Sequence, residues 1–519
     1  MQKQRYCFCK EKNKNLKGYN MNIFNVRKGF ATNSSSSHSV IEIKEKNGKF
    51  NVFTDEYYNF GWNFFTAGDK ESKENYVVAL TYQNLEQIFQ NEEDIKKELE
   101  NIFGKEIAKR GVQSSIDHQS VLTFPRTWDN TRINVDFIKD FLDYVKQDNV
   151  VIVGGNDNTD EEHALIEEDG SNISKVSLER ESSNDHYVAR KDKNYWTVFN
   201  RKDGEKVRFS FNSDLAPIKA TSPELADIKI TDFCPYDCEF CYQDSTLNGK
   251  HAKFEDIRKI ADELEKNKVF EVCLGGGETT LHPNFVEILK LFKSKNIVPN
   301  FTTKNLNLLR QSNAKEIIEN CGAMAFSVQS VEDILKVKSA FIDFEEQDRI
   351  TTTAYDYSLN KERSSPWKPK ITFQLIMGVM NEQEFGKMLD EIADFGTRVT
   401  LLGYKENGRG SSFAPYEYNN WLSILLDKKE NNHLNVSIDT ALASEFESEL
   451  LSKDIDNRTF HTNEGAFSVY IDAVKMKFYP SSYVGLENQK DFDKNWIEGY
   501  EDMNVKPIVK KSIKISKRT

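Results

Sequence analysis

The chain has 519 residues and a formal net charge of −12, with 70 Lys and Arg against 82 Asp and Glu. Its 12% aromatic content excludes disorder throughout, and no apolar run approaches the roughly 18 residues of a membrane span. The acidity disfavours nucleic-acid partners, and a polar N-terminus with no apolar segment reads as lacking a secretory signal, so a cytoplasmic location is expected.

The length suggests two to four domains of roughly 150 residues. Residues 1–39 read as a polar, flexible N-terminus. Cys7 and Cys9 are a weak metal pair there, and the polar run Thr32–Ser39 is a loop that offers, at most, a phosphate-cradling turn. Residues 40–220 read as an α+β region of unassigned role. Asn84–Arg110 carries one approximate helical stripe, and Val135–Val145 carries another. Val150–Val153 reads as a buried strand that ends in a turn at Gly154–Gly155. Tyr195–Phe199 and Val207–Phe211 flank Asp203-Gly204 as a hairpin. That hairpin is either a structural meander or an edge for a partner peptide to join by strand addition.

From Pro223 the pattern becomes regular. Strands are predicted at Ala226–Ile230, Val269–Leu274, Ile297–Thr302, Ala323–Val328, Ile371–Met377 and Val399–Leu402. Each is read as followed by a helix, for example the stripe Phe254, Ile257, Ala261 and Leu264. Repeated βα units imply a parallel α/β sheet, and six fall short of a closed eight-unit barrel. The expected fold is a partial (β/α)6 barrel over residues 221–410, with the N-terminal α+β region before it. A small α+β extension, 411–519, has helices near Tyr416–Leu426 and Leu442–Leu451 and a hairpin at Phe467–Ile471 and Lys475–Tyr479.

Two motifs carry chemistry. Cys234-Pro-Tyr-Asp-Cys238-Glu-Phe-Cys241 follows the first strand of the repeat, where parallel α/β folds build their sites. Three thiolates on one loop hold three irons of a cubane cluster and leave the fourth open. The competing reading is a zinc knuckle completed by Cys273 or His251, although structural zinc sites usually show a second close ligand pair. Gly275-Gly276-Gly277-Glu278 ends the second strand. Its glycines permit close backbone approach, and Glu278 offers a carboxylate to an ammonium group.

In this order and spacing, the two motifs resemble those of the radical S-adenosylmethionine (radical SAM) enzymes. The resemblance implies that Cys234, Cys238 and Cys241 ligate a [4Fe-4S] cluster whose open iron chelates S-adenosylmethionine. It implies further that Phe240 lies near the adenine and that Gly276, Gly277 and Glu278 bind the methionine ammonium. Ser327 and Gln329 resemble residues that contact the ribose or carboxylate. Thr279 departs from the Pro common after the glutamate. Leu401–Gly410 is similar to a segment of radical SAM peptide maturases, and offers Lys405 or Arg409 to a carboxylate. Phe467–Gly485 is similar to the opening of a SPASM-type auxiliary-cluster domain, but Ser481 and Ser482 stand where cysteine is normal, so no auxiliary cluster is expected.

The resemblance implies an enzyme that takes one electron from a flavodoxin or ferredoxin, forms a 5′-deoxyadenosyl radical and abstracts hydrogen from a substrate. A peptide or protein is the first expectation, and a nucleotide or RNA the second. In a different class stands a non-catalytic iron–sulfur redox sensor, which has no use for an ammonium-binding glutamate.

Overall fold

A computed structural model describes residues 65–111, 114–116, 124–147, 150–156, 173–178, 186–211, 218–351, 365–431, 434–453, 455, 460 and 462–503, and the strand segments 22–27, 36–43 and 59–60. The expectations for Cys7, Cys9 and the polar run up to Ser35 fall outside these residues, but Asn22–Arg27 and Ser36–Ser39, expected in a flexible tail and a loop, are strand, because they pair with other strands of the N-terminal part.

The N-terminal part begins with β1 (Asn22–Arg27), β2 (Ser36–Ile43), β3 (Asn59–Phe60) and β4 (Phe65–Ala67), then α1 (Lys70–Glu86), α2 (Glu92–Phe103) and α3 (Lys105–Gly111). β5 (Ser115–Ile116), α4 (Val135–Val145), β6 (Val150–Asn156), β7 (Ile173–Leu178), β8 (Tyr187–Asp192), β9 (Tyr195–Asn200) and β10 (Lys206–Ser210) follow. The single stripe expected over Asn84–Arg110 is broken. α1 ends at Glu86, Asn91 caps a new helix through the Glu93 amide, and Gly104 stops that helix at φ +83°. Gly154 and Gly155 do not form a turn: β6 runs through them, opposite His38 and Ser37 of β2. The β9–β10 hairpin lies inside a sheet of order β1-β10-β9-β8, so neither of its strands has a free edge for a partner.

The larger body alternates β11 (Leu225–Thr231), α5 (Phe254–Lys266), β12 (Glu271–Gly276), α6 (Phe285–Ser294), β13 (Val298–Thr303), α7 (Ala314–Asn320), β14 (Met324–Ser327), α8 (Val331–Thr351), β15 (Ile371–Ile376), α9 (Glu382–Phe395) and β16 (Arg398–Leu402). α10 (Trp421–Asn431), β17 (Asn435–Ile438), α11 (Thr440–Glu445), α12 (Glu447–Ser452), β18 (Ser468–Asp472), β19 (Lys477–Tyr479), β20 (Lys490–Asp491) and α13 (Trp496–Glu501) complete it. The helix expected near Tyr416 starts at Trp421, and the one over Leu442–Leu451 divides at Phe446.

The sheet order is β17-β16-β15-β14-β13-β12-β11-β18-β19-β20. It is an open, partial barrel with more strands than the six expected: β17 pairs parallel with β16, and β18 pairs parallel with β11. The β18–β19 hairpin is present, but its first strand belongs to the barrel wall. Alternation sorts the two faces. Val272, Leu274, Phe301, Phe326, Phe373, Leu375, Val399 and Leu401 are buried in the core. The half-buried set on the opposite, concave face is mostly polar, with Asp227, Cys273, Asn300, Thr302, Ser327, Gln374 and Thr400 beside the apolar Ala325, Ile376 and Leu402.

The N-terminal meander seals the base of the barrel. Both oxygens of buried Glu224 accept from Arg208 at 2.8 Å, Thr197 Oγ1 donates to Oε1 at 3.0 Å, and Lys206 Nζ lies 3.0 Å from Oε2. Arg190 donates to the carbonyls of Ser222, Pro223 and Lys268 and to Asp192.

Candidate active site

The cysteine loop leaves the C-terminal end of β11 and is closed by its own backbone. Asp232 N–H donates to Lys250 O at 2.8 Å, Cys234 N–H to Thr246 O at 2.9 Å, and Thr246 N–H to Asp232 O at 3.2 Å. Gly249 lies against the backbone of Asp232 and Phe233, where a Cβ has no room. Cys234, Cys238 and Cys241 are half-buried and free of disulfides. Burial raises the Cys234 thiol, and burial followed by the charge of Glu278 pushes Tyr236 up to about 12.

The glycine turn docks on this loop. Gly277 N–H donates to Thr231 O at 2.7 Å, and Glu278 N–H to Phe233 O at 2.8 Å. Gly276 has φ +116°, and a Cβ on it would collide with the Thr231 carbonyl; one on Gly277 would meet that of Phe233. The glycines are thus required for backbone contact between the two motifs. Glu278 is buried, and its carboxylate is fixed by four donors. Oε1 accepts from Thr280 N at 3.2 Å and from the hydroxyls of Thr280 and Thr303 at 2.6 Å, while Oε2 accepts from Lys304 N at 2.9 Å. Thr279, in place of Pro, starts a one-turn helix, so the turn survives that departure.

Phe240 meets the edge of Phe413 at 5.9 Å between centroids. Ser327 stands on the concave face beside its register partner Gln374. Gln329 lies past the strand, its backbone N–H donating to Asp333 Oδ2 at the start of α8. Ser327 and Gln329 therefore do not share one face of a strand.

Sequence reasoning missed Lys304, the residue that follows β13. Its Nζ lies 3.2 Å from Cys238 Sγ and 5.7 Å from the Phe240 centroid. Its place just after a barrel strand was the signal that could have found it. Asp227 was also missed: burial pushes its carboxyl up to about 7, against the opposing charge of Lys405.

Lys405 and Arg409, offered by the sequence to a ligand carboxylate, are instead engaged within the chain. Lys405 Nζ lies 3.7 Å from Asp439 Oδ2, between the rings of Tyr242 at 4.9 Å and Tyr483 at 4.5 Å. Arg409 donates to Cys238 O, Asp244 Oδ1 and Ser245 O at 3.0–3.1 Å.

Among the described residues, no three His, Cys, Asp or Glu side chains form a group that could hold a single metal ion. A cubane does not require such convergence, because each thiolate takes a separate iron. The zinc partners considered are engaged elsewhere. His251 Nδ1 lies 2.9 Å from Thr231 Oγ1. Cys273 sits on the barrel wall opposite Asp227 in register, and burial raises its thiol. Among the described residues no helix is long and apolar enough to cross a membrane.

Residues 228–399 match the family model described as "Radical SAM superfamily". The "7,8-dihydro-6-hydroxymethylpterin dimethyltransferase" of Methanocaldococcus jannaschii is 25% identical over 111 residues, which is 20% of this chain and 22% of that protein. The "Probable GTP 3',8-cyclase" of Thermoplasma volcanium is 25% identical over 196 residues, 36% of this chain and 56% of that protein. The chain thus spans between a fifth and just over half of these two curated relatives. The structure of Streptococcus suis SuiB bound to precursor peptide SuiA aligns with a TM-score of 0.44 at 13% identity, covering 61% of this chain and 87% of that one.

Proposed function

We propose, from the match of residues 228–399 to the radical SAM model, that the chain is a radical SAM enzyme acting on a peptide or protein. The observation that carries this reading is the cysteine loop: three free, half-buried thiols, with the glycine-glutamate turn bonded to the same loop. The donor set fits a [4Fe-4S] cluster held by Cys234, Cys238 and Cys241, one iron short of full protein ligation. A cluster held there would supply the one-electron reduction of S-adenosylmethionine on which radical chemistry at the substrate depends.

The chain's own residues bind and orient. Gly276 and Gly277 bring the turn's backbone to the cysteine loop, and buried Glu278 presents fixed negative charge to the methionine ammonium. Lys304 sets a positive charge beside Cys238, suited to offset thiolate charge or to meet a carboxylate. Phe240 offers its ring and backbone to the adenine, and Ser327 and Gln329 offer polar groups to the ribose or carboxylate. The electron donor is a flavodoxin or ferredoxin, and the setting is cytoplasmic.

A peptide suits the uncharged polar side chains Thr302, Ser327, Gln374 and Thr400 on the concave face. Lys229 and Lys405 are already paired with Asp232, Asp472 and Asp439, which leaves neither for a triphosphate. The second reading, a nucleotide, draws on the likeness to a GTP cyclase.

The test is anaerobic reconstitution of the full chain, followed by iron analysis and an assay for 5′-deoxyadenosine under dithionite. The expected result is about four irons per chain and release of the nucleoside, both lost in the triple variant C234A/C238A/C241A. Zinc in place of iron, or a triple variant that keeps iron and cleavage, overturns the proposal. Iron without cleavage returns the chain to the sensor class.

A further inference from the structure

The loop after β16 grips the cysteine loop after β11 from the other side of the opening. Arg409 N–H donates to Cys241 O at 3.0 Å, and Arg409 Nε to Cys238 O at 3.0 Å. The guanidinium also donates to Ser245 O from both terminal nitrogens at 3.1 Å. Gly408, at φ +54°, rests against the carbonyls of Cys241 and Tyr242, and Gly410 against that of Phe240. Tyr404 Oη donates to Gly410 O at 2.7 Å and holds the gripping segment itself.

The grip falls where the cysteine loop is strained. Asp237 and Asp244 both adopt left-handed backbone, at φ +43° and +52°. Such conformations are disfavoured for residues with a side chain and persist where the surroundings impose them. Arg409 reaches both: Nη1 lies 3.0 Å from Asp244 Oδ1, and Nη2 lies 3.7 Å from Asp237 Oδ1. A planar guanidinium serves three acceptors at once, and an ammonium of the same charge does not hold them in that geometry.

We propose that Arg409 is a positioning residue of the metal site: it clamps the backbone carbonyls of Cys238 and Cys241, holds the three thiols ready before metal arrives, and sets a permanent positive charge beside the cluster. The metal part rests on the radical SAM reading; the ordering of the loop does not.

The full chain is compared with R409Q, R409K and G408A, the last displacing the clamp while keeping the arginine. In apo protein, hydrogen exchange at amides 238–246 is expected to speed on the order of 10-fold in R409Q and G408A, with barrel amides unchanged. After reconstitution, a chelator is expected to strip iron on the order of 10-fold faster from these variants, in line with losses of groups that support ligands. The reduction potential is expected to fall in R409Q and to be kept in R409K, because the potential follows local charge. Unchanged loop exchange in both R409Q and G408A overturns the proposal, as does an R409Q potential equal to that of the parent. Faster loop exchange in a chain that takes no iron upholds the clamp and defeats the radical SAM reading instead.

Discussion

Two carboxylates close together in sequence, Glu224 just before β11 and Asp227 within it, meet opposite fates. Glu224 sits at the base of the barrel, fully buried. Burial alone would raise its carboxyl, yet Arg208 and Lys206 hold it far below the usual range. Asp227 faces the concave interior, where burial wins over Lys405 and the carboxyl rises to about 7. At the base, each charge the meander brings meets an opposite charge or a carbonyl. In the interior, Asp227, Asp439 and Glu464 surround one ammonium, that of Lys405. The base has the character of a seal. The interior carries the perturbed titration that marks functional sites more often than structural ones.

The base is the place to break this contrast with the largest effect. E224Q leaves Arg208 buried without its carboxylate and Lys206 with only Glu271, at 3.6 Å, and removing one partner of a buried pair costs about 3–5 kcal/mol. Urea unfolding should show that loss, with cluster binding unimpaired below the transition. A cost under about 1 kcal/mol would mean that the base does not depend on charge matching.

At the other end the dependence is on backbone. G277A brings a methyl group into the Phe233 carbonyl, and overpacking of this kind costs about 1–3 kcal/mol. The strain falls on the contact between the two motifs, so affinity for S-adenosylmethionine should drop by a larger factor than stability predicts. Equilibrium binding to the reconstituted protein, set beside urea unfolding, separates the two. Equal losses would make Gly277 a packing residue only.

What could be read in advance follows the range of each interaction. The six βα units were legible because each strand and its helix state their own periodicity locally, and the cysteine and glycine motifs were legible because each is one short run. β17 escaped: it is four residues long at the sheet edge, and Asn435 and Ser437 alternate with only two apolar side chains. β18 was read as half of a hairpin, which it is, but its pairing with β11 spans more than 200 residues and leaves no local trace. Arg409 was noticed and given the wrong partner. A lone arginine in a glycine-rich loop does not announce that its acceptors are backbone carbonyls 171 and 164 residues away.

The smallest and most diagnostic effect concerns Asp227. The carboxyl titrates near 7 in the folded chain and near 3.8 as a free side chain. Between these values the native state keeps a proton that the unfolded state has lost. Stability therefore falls as pH rises from about 4 to 7 and is level above that. Lys405 stays charged across this window, and Glu464, Glu271 and Asp439 supply the repulsion that remains. D227N has no proton to lose. Its thermal midpoint, relative to the parent, should climb between pH 5 and pH 8 by roughly 2–4 °C, equivalent to about 1 kcal/mol for a partly solvated group. A difference that stays flat over that range would place Asp227 with the ordinary surface carboxylates. The contrast with Glu224 would then reduce to depth of burial rather than to unmatched charge.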